Sequence, residues 1–361
     1  MKNRKLKPKA KIALIILTSL GGLLILLFFA YIFLSSPVDI TSNANIEVKI
    51  KSGMRTNQIA AMLKKRGLIR SKFLFKVETK LRNKPLKAST YILKKNMSLR
   101  KIVKTIGDGN HYNPDVVKIT FKEGETIKKY ALEIATNTDN TYDDVIEVIN
   151  NKEYLKKLIN KYYFLTDDIL NDELYFGLEG YLAPDTYEFK NKKVKVEKII
   201  EDMLNETKKR LDNYKDKIES SNKSYHEILT LASITELEGT NKENMKMIVG
   251  IFNNRLLHNM NLGSDVTTYY GLQVEMKRDL TPSEFATVNP YNTRSSSMRG
   301  KLPVGPISCP GKEAIEAAVN PTDSDYLFFV ADKKGKVYYT KTVNEHDNKV
   351  KELKEAGLWI W

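Results

Sequence analysis

The hydrophobic pattern opens with one uninterrupted apolar run, Ile12 to Leu34 (IALIILTSLGGLLILLFFAYIFL), 23 residues without a charge. At about 1.5 Å per residue a helix of this length reaches about 35 Å, enough to cross a hydrocarbon core. After a polar spacer at 35–45 the chain becomes short periodic segments. Ile46 to Lys51 alternates as a strand, Gly53 marks a turn, and Thr56 to Lys65 has helical spacing through Ile59, Ala60 and Leu63. A second helical stretch covers Ser71 to Leu81, STYILK reads as a strand, and Ser98 to Ile106 predicts a helix ended by Gly107. Val117 to Phe121 is strand-like again, followed by Gly124 and a helix carrying Tyr130, Ala131 and Ile134. The two segments share one spacing: an apolar residue six positions after Gly53 and Gly124, alanine at seven, an apolar residue at ten.

Beyond this point Asp139 to Asp172 and Lys190 to Lys217 read as charged helical regions, the second with Val194, Val196, Ile199, Ile200, Met203 and Leu204 as its apolar positions. Between them lies an aromatic, turn-rich stretch, LEGYLAPDTYEF (Leu178 to Phe189). The region from Tyr225 predicts an apolar helix, then a helix with Ile248, Ile251, Phe252 and Leu256, then a long loop rich in Pro, Gly, Ser and Asn. DYLFFVA and KVYYTKT, either side of Lys333 to Gly335, predict a closing strand pair. The fold class is α+β. The expected domains are a basic tail at 1–11, a transmembrane helix at 12–34, a spacer at 35–45, a small α+β module at 46–138 and a C-terminal α+β domain at 139–361.

Composition narrows the functional classes. With 42% apolar and 29% charged residues, 361 residues are neither wholly disordered nor a polytopic membrane protein. One cysteine, Cys309, closes no intramolecular disulfide, and His111, His226, His258 and His346 are scattered without other thiols, so neither a disulfide scaffold nor a Cys/His metal site is expected, and no cofactor. Lys2, Arg4, Lys5, Lys7, Lys9 and Lys11 precede the apolar run and predict an N-terminus in the cytoplasm with the rest of the chain outside. The run exceeds the roughly 7–15 residues of a signal-peptide core, and no cysteine at its boundary suggests a lipoprotein, so a retained anchor is expected. Of the net charge of +15, these six leave +9, a mild bias spread over the outer body that would suit an acidic surface such as phosphate-rich wall polymer or anionic lipid but reads more simply as a Lys-rich exterior. No basic stripe interleaved with aromatics suggests a nucleic-acid partner.

The chemistry concentrates in YHEILTLASITELEG (Tyr225 to Gly239). On a helical wheel Glu236 falls between Ala232 and Leu229, so its carboxylate leaves an apolar face. A carboxyl group in such surroundings is either paired or kept protonated, and a carboxylic acid protonated near neutral pH is what a general acid requires. The residues alone favour an ordinary solvent-facing or salt-bridged glutamate near a helix end. Glu238 lies roughly 200° further round the helix, so it does not share a cleft with Glu236 unless Gly239 already breaks the helix. A second acid would come from elsewhere. Asp265, in the loop after Asn261, is the leading candidate, with an Asx turn or helix cap as the alternative.

The strand, glycine turn and "IA" helix opening resembles LysM-type glycan-binding modules, and serves equally as a structural spacer. Seven ordered blocks resemble the endolytic murein transglycosylase family (MltG, YceG-like): EGYLAPDTY (Glu179 to Tyr187), LASITELEG (Leu231 to Gly239), IFNNRL (Ile251 to Leu256), LGSDVTTYYG (Leu262 to Gly271), PYNT (Pro290 to Thr293), LPVGPISCPG (Leu302 to Gly311), and NPTDSDYLFFVAD followed by Glu345 and His346. The resemblance implies cleavage of the MurNAc–GlcNAc β-1,4 bond within peptidoglycan strands, without water, leaving a 1,6-anhydroMurNAc end. It puts the catalytic acid on Glu236 and implies sugar binding or orientation of Glu236 for Asp265, Thr267, Tyr291 and Asn292. It also implies partners among wall-synthesis proteins, including penicillin-binding proteins.

The sequence departs from the family pattern at Gly263, Val266, Arg294, Lys301 and Val304, in loops expected to line the substrate. Glu179, Asp185 and Tyr187 either line the cleft or form a packed corner, and Glu238 is a further candidate contact. Asn254 and Arg255 are expected to bind a carboxylate structurally, His346 to sit at the surface or pack, and Cys309 to be a small loop residue. Two rivals stand beside the lyase: a muramidase-type hydrolase using Glu236 and Asp265, and a wall-binding scaffold without catalysis.

Overall fold

In a computed structural model, residues 8–82, 85–108 and 116–359 are described. Lys2, Arg4, Lys5, Lys7 and His111, named above, lie outside them. The chain divides into two compact units, Met1–Asp115 and Val116–Trp361. Both mix helices and short strand pairs, so the α+β class is the observed one.

Unit 1 begins with α1 (Pro8–Ser35), in which Leu17–Ser35 is long and apolar enough to cross a membrane and packs almost none of its side chains. There follow β1 (Asn45–Ile50), α2 (Thr56–Lys65), α3 (Lys72–Arg82), β2 (Ser89–Lys94) and α4 (Leu99–Asp108). β1 and β2 pair antiparallel with Val48 opposite Tyr91, and the alternation turns Val48, Ile50, Tyr91 and Leu93 onto Ile59, Leu63, Phe75, Ile102 and Ile106. The strands and helices expected from periodicity recur here within one or two residues.

Unit 2 contains β3 (Val117–Thr120), α5 (Ile127–Asn137), α6 (Tyr142–Asn150), α7 (Lys152–Ile159), β4 (Thr186–Phe189), α8 (Val196–Asp212), α9 (Lys215–Glu219), α10 (Tyr225–Glu238) and α11 (Lys242–Leu257). It ends with α12 (Asp265–Leu272), α13 (Pro282–Phe285), α14 (Lys312–Val319), β5 (Phe328–Ala331), β6 (Val337–Thr340) and α15 (Val343–Glu355). α10 is its axis: every residue from Ile228 to Thr235 is buried, against α11 and α14 among others. Ser224 and Glu227 form a capping box that starts this helix.

Three expectations change. The boundary between compact units falls at 115/116 rather than 138/139, because β3 pairs with β4, Ile119 opposite Tyr187, and so binds the second strand–turn–helix segment into unit 2. The stretch after Asn261 is not all loop, since it contains α12, and Asp265 is that helix's first residue, directly after the N-cap position Ser264. The charge is not spread: residues 36–115 hold 18 Lys/Arg against 5 Asp/Glu, a net +13, whereas the chain from Val116 on holds 35 against 39, a net −4.

Candidate functional site

The site grows from the last turn of α10 and two glycine-bearing segments brought against it. Ser233, one of the small residues of this helix, accepts the backbone N–H of Ile307 at 3.0 Å, and its carbonyl accepts the Ser308 hydroxyl at 3.0 Å. His226, two turns earlier, lies 2.8 Å from the Val304 carbonyl through Nε2 and 2.7 Å from the Tyr181 hydroxyl through Nδ1. A carbonyl only accepts, so Nε2 carries a proton toward Val304, and Nδ1 faces the Tyr181 hydroxyl, which can donate or accept. Together these bonds fasten the 302–311 segment along α10.

The turn at 123–126 is tied to the same segment, Gly124 N–H donating to Cys309 O and Cys309 N–H to Glu125 O, each at 2.9 Å. Gly124 has φ +75°, and a Cβ there would lie 3.2 Å from Leu237 Cδ2 and 3.5 Å from Glu236 Cγ. A Cβ on Gly311 would fall inside the Glu123 carboxyl group. Glycine at both positions therefore lets backbone approach where a side chain would stand.

Glu236 sits at this junction. Its Oε2 accepts the Gly311 N–H at 2.8 Å. Burial raises its pKa above the usual carboxylate value, the Gly311 N–H opposes that rise, and the nearby charges of Glu123 and Glu313 add to it. The result is a partly accessible carboxyl group biased toward its protonated form, bonded to one backbone donor and within electrostatic reach of two other acids.

Glu238 goes elsewhere, as the helical wheel requires: its Oε1 accepts the Ser264 hydroxyl at 2.6 Å, and burial raises its pKa. Asp265 pairs with the Arg294 guanidinium, both side chains 44% exposed. Thr267 is fully buried, its hydroxyl 2.6 Å from Ser264 O and 2.8 Å from the Thr293 hydroxyl. Asn292 is equally buried, accepting from Thr268 at 2.7 Å and donating to Phe285 O and Thr287 O at 2.9 and 2.6 Å. Tyr291 stacks on Tyr175 at 5.0 Å, and its hydroxyl oxygen accepts the Tyr175 N–H at 3.2 Å. In this state the side chains of Thr267, Tyr291 and Asn292 bond within the protein and hold the 289–295 loop onto α12.

Glu179 is 1% exposed, accepting the Ile127 N–H at 3.0 Å and the Tyr270 hydroxyl at 2.9 Å. Burial pushes its pKa up to about 7 against those two donors. It lies at the edge of a cavity of about 540 Å³ lined also by Gly124, Leu237, Val266 and Tyr269. Tyr187 is half-buried on β4, its hydroxyl donating to Ala183 O at 2.8 Å as part of a packed corner with Phe121 and Phe189. Arg255 does not hold a carboxylate: its guanidinium donates to the carbonyls of Leu327, at 2.6 Å, and of Leu262, while Asn254 donates to Ser324 O and Tyr326 O. Carbonyls take the role expected of an acid because the chain at 324–327 runs beside α11.

A family model described as the YceG-like family matches residues 48–352. The chain belongs to this family. It is 33% identical over 321 residues to the endolytic murein transglycosylase of Bacillus subtilis (strain 168), covering 88% of this chain and 87% of that one. The endolytic murein transglycosylase of Streptococcus pneumoniae serotype 2 (strain D39 / NCTC 7466) is 31% identical over 95% of this chain and 64% of its own length. A 2.6 Å crystal structure of a YceG-like protein from Listeria monocytogenes has 35% identity and a TM-score of 0.61, covering 85% of this chain and 99% of that one.

Within the YceG-like framework the departures have visible roles. Arg294 pairs with Asp265 and lies over the Phe285 ring at 4.9 Å; Val266 lines the cavity; the Val304 carbonyl anchors His226. Glu123, Glu313 and Ser264 were not singled out by sequence reasoning. Only the Glu-Gly pair before the second turn hinted at Glu123, and nothing local reports that Ser264 faces Glu238.

Proposed function

We propose that this protein is a membrane-anchored endolytic peptidoglycan lytic transglycosylase that cuts the MurNAc–GlcNAc β-1,4 bond of glycan strands and leaves 1,6-anhydroMurNAc ends. The carrying observation is Glu236, a carboxyl group raised in pKa by burial and held by a single backbone N–H. Membership of the YceG-like family and the activity for which its relatives are named point to the same reaction.

Glu236 gives its proton to the glycosidic oxygen as the C1–O bond breaks. The carboxylate then takes the proton of the sugar's own C6 hydroxyl as O6 bonds to C1. The nucleophile is tethered to the ring it attacks, so its effective concentration is high and no second carboxylate is needed to activate water. The Gly311 N–H holds Oε2, which leaves Oε1 to carry the proton. Thr267, Tyr291 and Asn292 act as positioning residues for the loop around Arg294, Glu179 lies in the wall of the cleft that receives the strand and Asp265 at its rim, while Glu238 braces Ser264 behind Asp265 and Tyr187 packs the corner beneath. Unit 1 serves as a LysM-like glycan-binding module, α1 as a single-pass anchor with its N-terminus in the cytoplasm, and unit 2 as the catalytic domain on the outer face. Wall-synthesis proteins, penicillin-binding proteins among them, are the expected partners.

The test is mass spectrometry of purified uncross-linked strands incubated with the full-length protein in detergent, beside Glu236→Gln. Anhydro ends, one water lighter than hydrolysis products and absent with Glu236→Gln, support the lyase. Reducing ends would turn the assignment to a hydrolase that positions water with Asp265. Binding without cleavage would leave a scaffold.

A further inference from the structure

Unit 1 carries a net charge of +13 on residues 36–115, and its helix α3 turns an unusual face outward. Phe75 and Glu78 of α3 point into the unit, Glu78 holding Arg82 at 3.3 Å and Arg100 at 3.2 Å. On the opposite side, at 100° per residue, Lys72, Lys76 and Lys80 span roughly 80° of arc, and Phe73, Val77 and Leu81 continue it to roughly 180°. Phe73 is 68% and Leu81 75% exposed. The three lysines have no ion-pair partner among the described residues. A helix that buries one apolar stripe and shows a second beside a row of lysines is built for an anionic, partly apolar surface.

The position of α3 says which surface. Arg70, two residues before it, donates through Nη2 to the carbonyls of Pro37 and Val38 at 2.9 and 3.0 Å, and its guanidinium lies 4.7 Å from the centre of the Phe33 ring in the last turn of α1. Ile40, in the connection between α1 and β1, is 77% exposed. Unit 1 is thus clamped to the end of the apolar helix, with its basic, apolar-tipped face starting beside that clamp.

We propose that the outward face of α3, Lys72, Phe73, Lys76, Lys80 and Leu81, docks on the anionic phospholipid headgroups of the bilayer that α1 enters. The proposal rests on the reading of α1 as a membrane anchor. The lysines meet lipid phosphate while Phe73 and Leu81 enter the headgroup–acyl boundary. A soluble phosphate polymer of the wall would satisfy the lysines and leave both apolar side chains in water, which is why lipid is the occupant argued for.

The full-length protein is reconstituted in lipid nanodiscs of phosphatidylcholine alone and of phosphatidylcholine with about one third phosphatidylglycerol, with a nitroxide on Leu81→Cys. The single native thiol, Cys309, is fully buried, and protein without the new cysteine reports any labelling there. In anionic discs the label is shielded from a water-soluble nickel chelate and open to oxygen dissolved in lipid; in zwitterionic discs it is open to the chelate. About 0.5 M salt reverses the shielding. Changing Lys72, Lys76 and Lys80 to Gln lowers the docked-to-free ratio roughly fivefold per lysine. Equal chelate access in both discs overturns the proposal, and so does shielding produced by soluble poly(glycerol phosphate) but not by anionic discs. Failure to co-elute with either disc removes the anchor itself and the docking with it, whereas loss of strand cleavage alone touches neither.

Discussion

The two strand–glycine–helix segments are alike in sequence and unlike in what they build. In unit 1 the strand before Gly53 pairs with β2, and a Cβ on Gly53 would meet nothing within 4 Å. In unit 2 the strand before Gly124 pairs with β4, and the same atom on Gly124 would press on Leu237 and touch Glu236. Both glycines have positive φ, +80° and +75°. The turn is an exposed corner in one case and a wall of the candidate site in the other. A local motif thus specifies a backbone conformation; the long-range strand partner decides what that conformation faces. The charges divide along the same line, with +13 in unit 1 outside α1 and −4 in unit 2, so the region read for chemistry is not the region read for an acidic surface.

The sharpest way to break the comparison is Glu236→Gln. We expect cleavage to fall by about 10²–10⁴-fold with the fold intact, because glutamine keeps the shape and loses the proton. In the unmodified protein kcat/KM should decline as pH rises through the elevated pKa of Glu236, since the acid form is the active one; a flat profile would refute this. Next in size is the pH dependence of unit 2 through Glu179. Its folded pKa, about 7, lies above its ordinary 4.5, so the neutral acid favours the fold. That contribution, up to about 3 kcal/mol, is complete below about pH 4.5 and lost as pH rises through 7. Melting of unit 2 should therefore weaken between about pH 5 and 8, and Glu179→Gln should flatten the slope, with unit 1 unaffected. Calorimetry in detergent across that range reads both.

A smaller effect separates the two glycines directly. Gly53→Ala should cost roughly 1 kcal/mol through its positive φ and leave cleavage unchanged. Gly124→Ala should cost about that much again, through displacement of Leu237, and also slow cleavage several-fold. Equal effects in melting and activity assays would dissolve the contrast. The smallest change is expected of Arg294→Ala: the exposed pair with Asp265 is worth under about 1 kcal/mol, so a change in strand preference without a shift in melting temperature is the predicted reading.

Much of this was legible in order along the chain. Periodicity located α2, α3, β2 and α10 within one or two residues, because each buries one stripe against a nearby partner and its pattern is complete in about ten residues. It did not find α12 or α15. α12 is short and polar at its start, and α15 shows one fully buried residue, Leu353, so neither writes a strong stripe. At the site, Glu236 and the separation of Glu238 from it follow from helix geometry alone. The long-range partners do not: Asp265 with Arg294, Thr267 with Thr293 and Asn292 with Thr268 each span 24 or more residues of chain.

By itself, then, the sequence determined what depends on near neighbours: an apolar run of membrane length, helices of known phase, two glycine turns, and a glutamate leaving an apolar face. Only the tertiary structure decided where the units divide, and with that where the positive charge gathers. It alone placed Gly124, Gly311 and Glu123 around Glu236, and it withdrew Thr267, Tyr291 and Asn292 into the interior. The reason is physical. Burial and pKa depend on which distant segments displace water from a side chain, and no spacing along one helix carries that information.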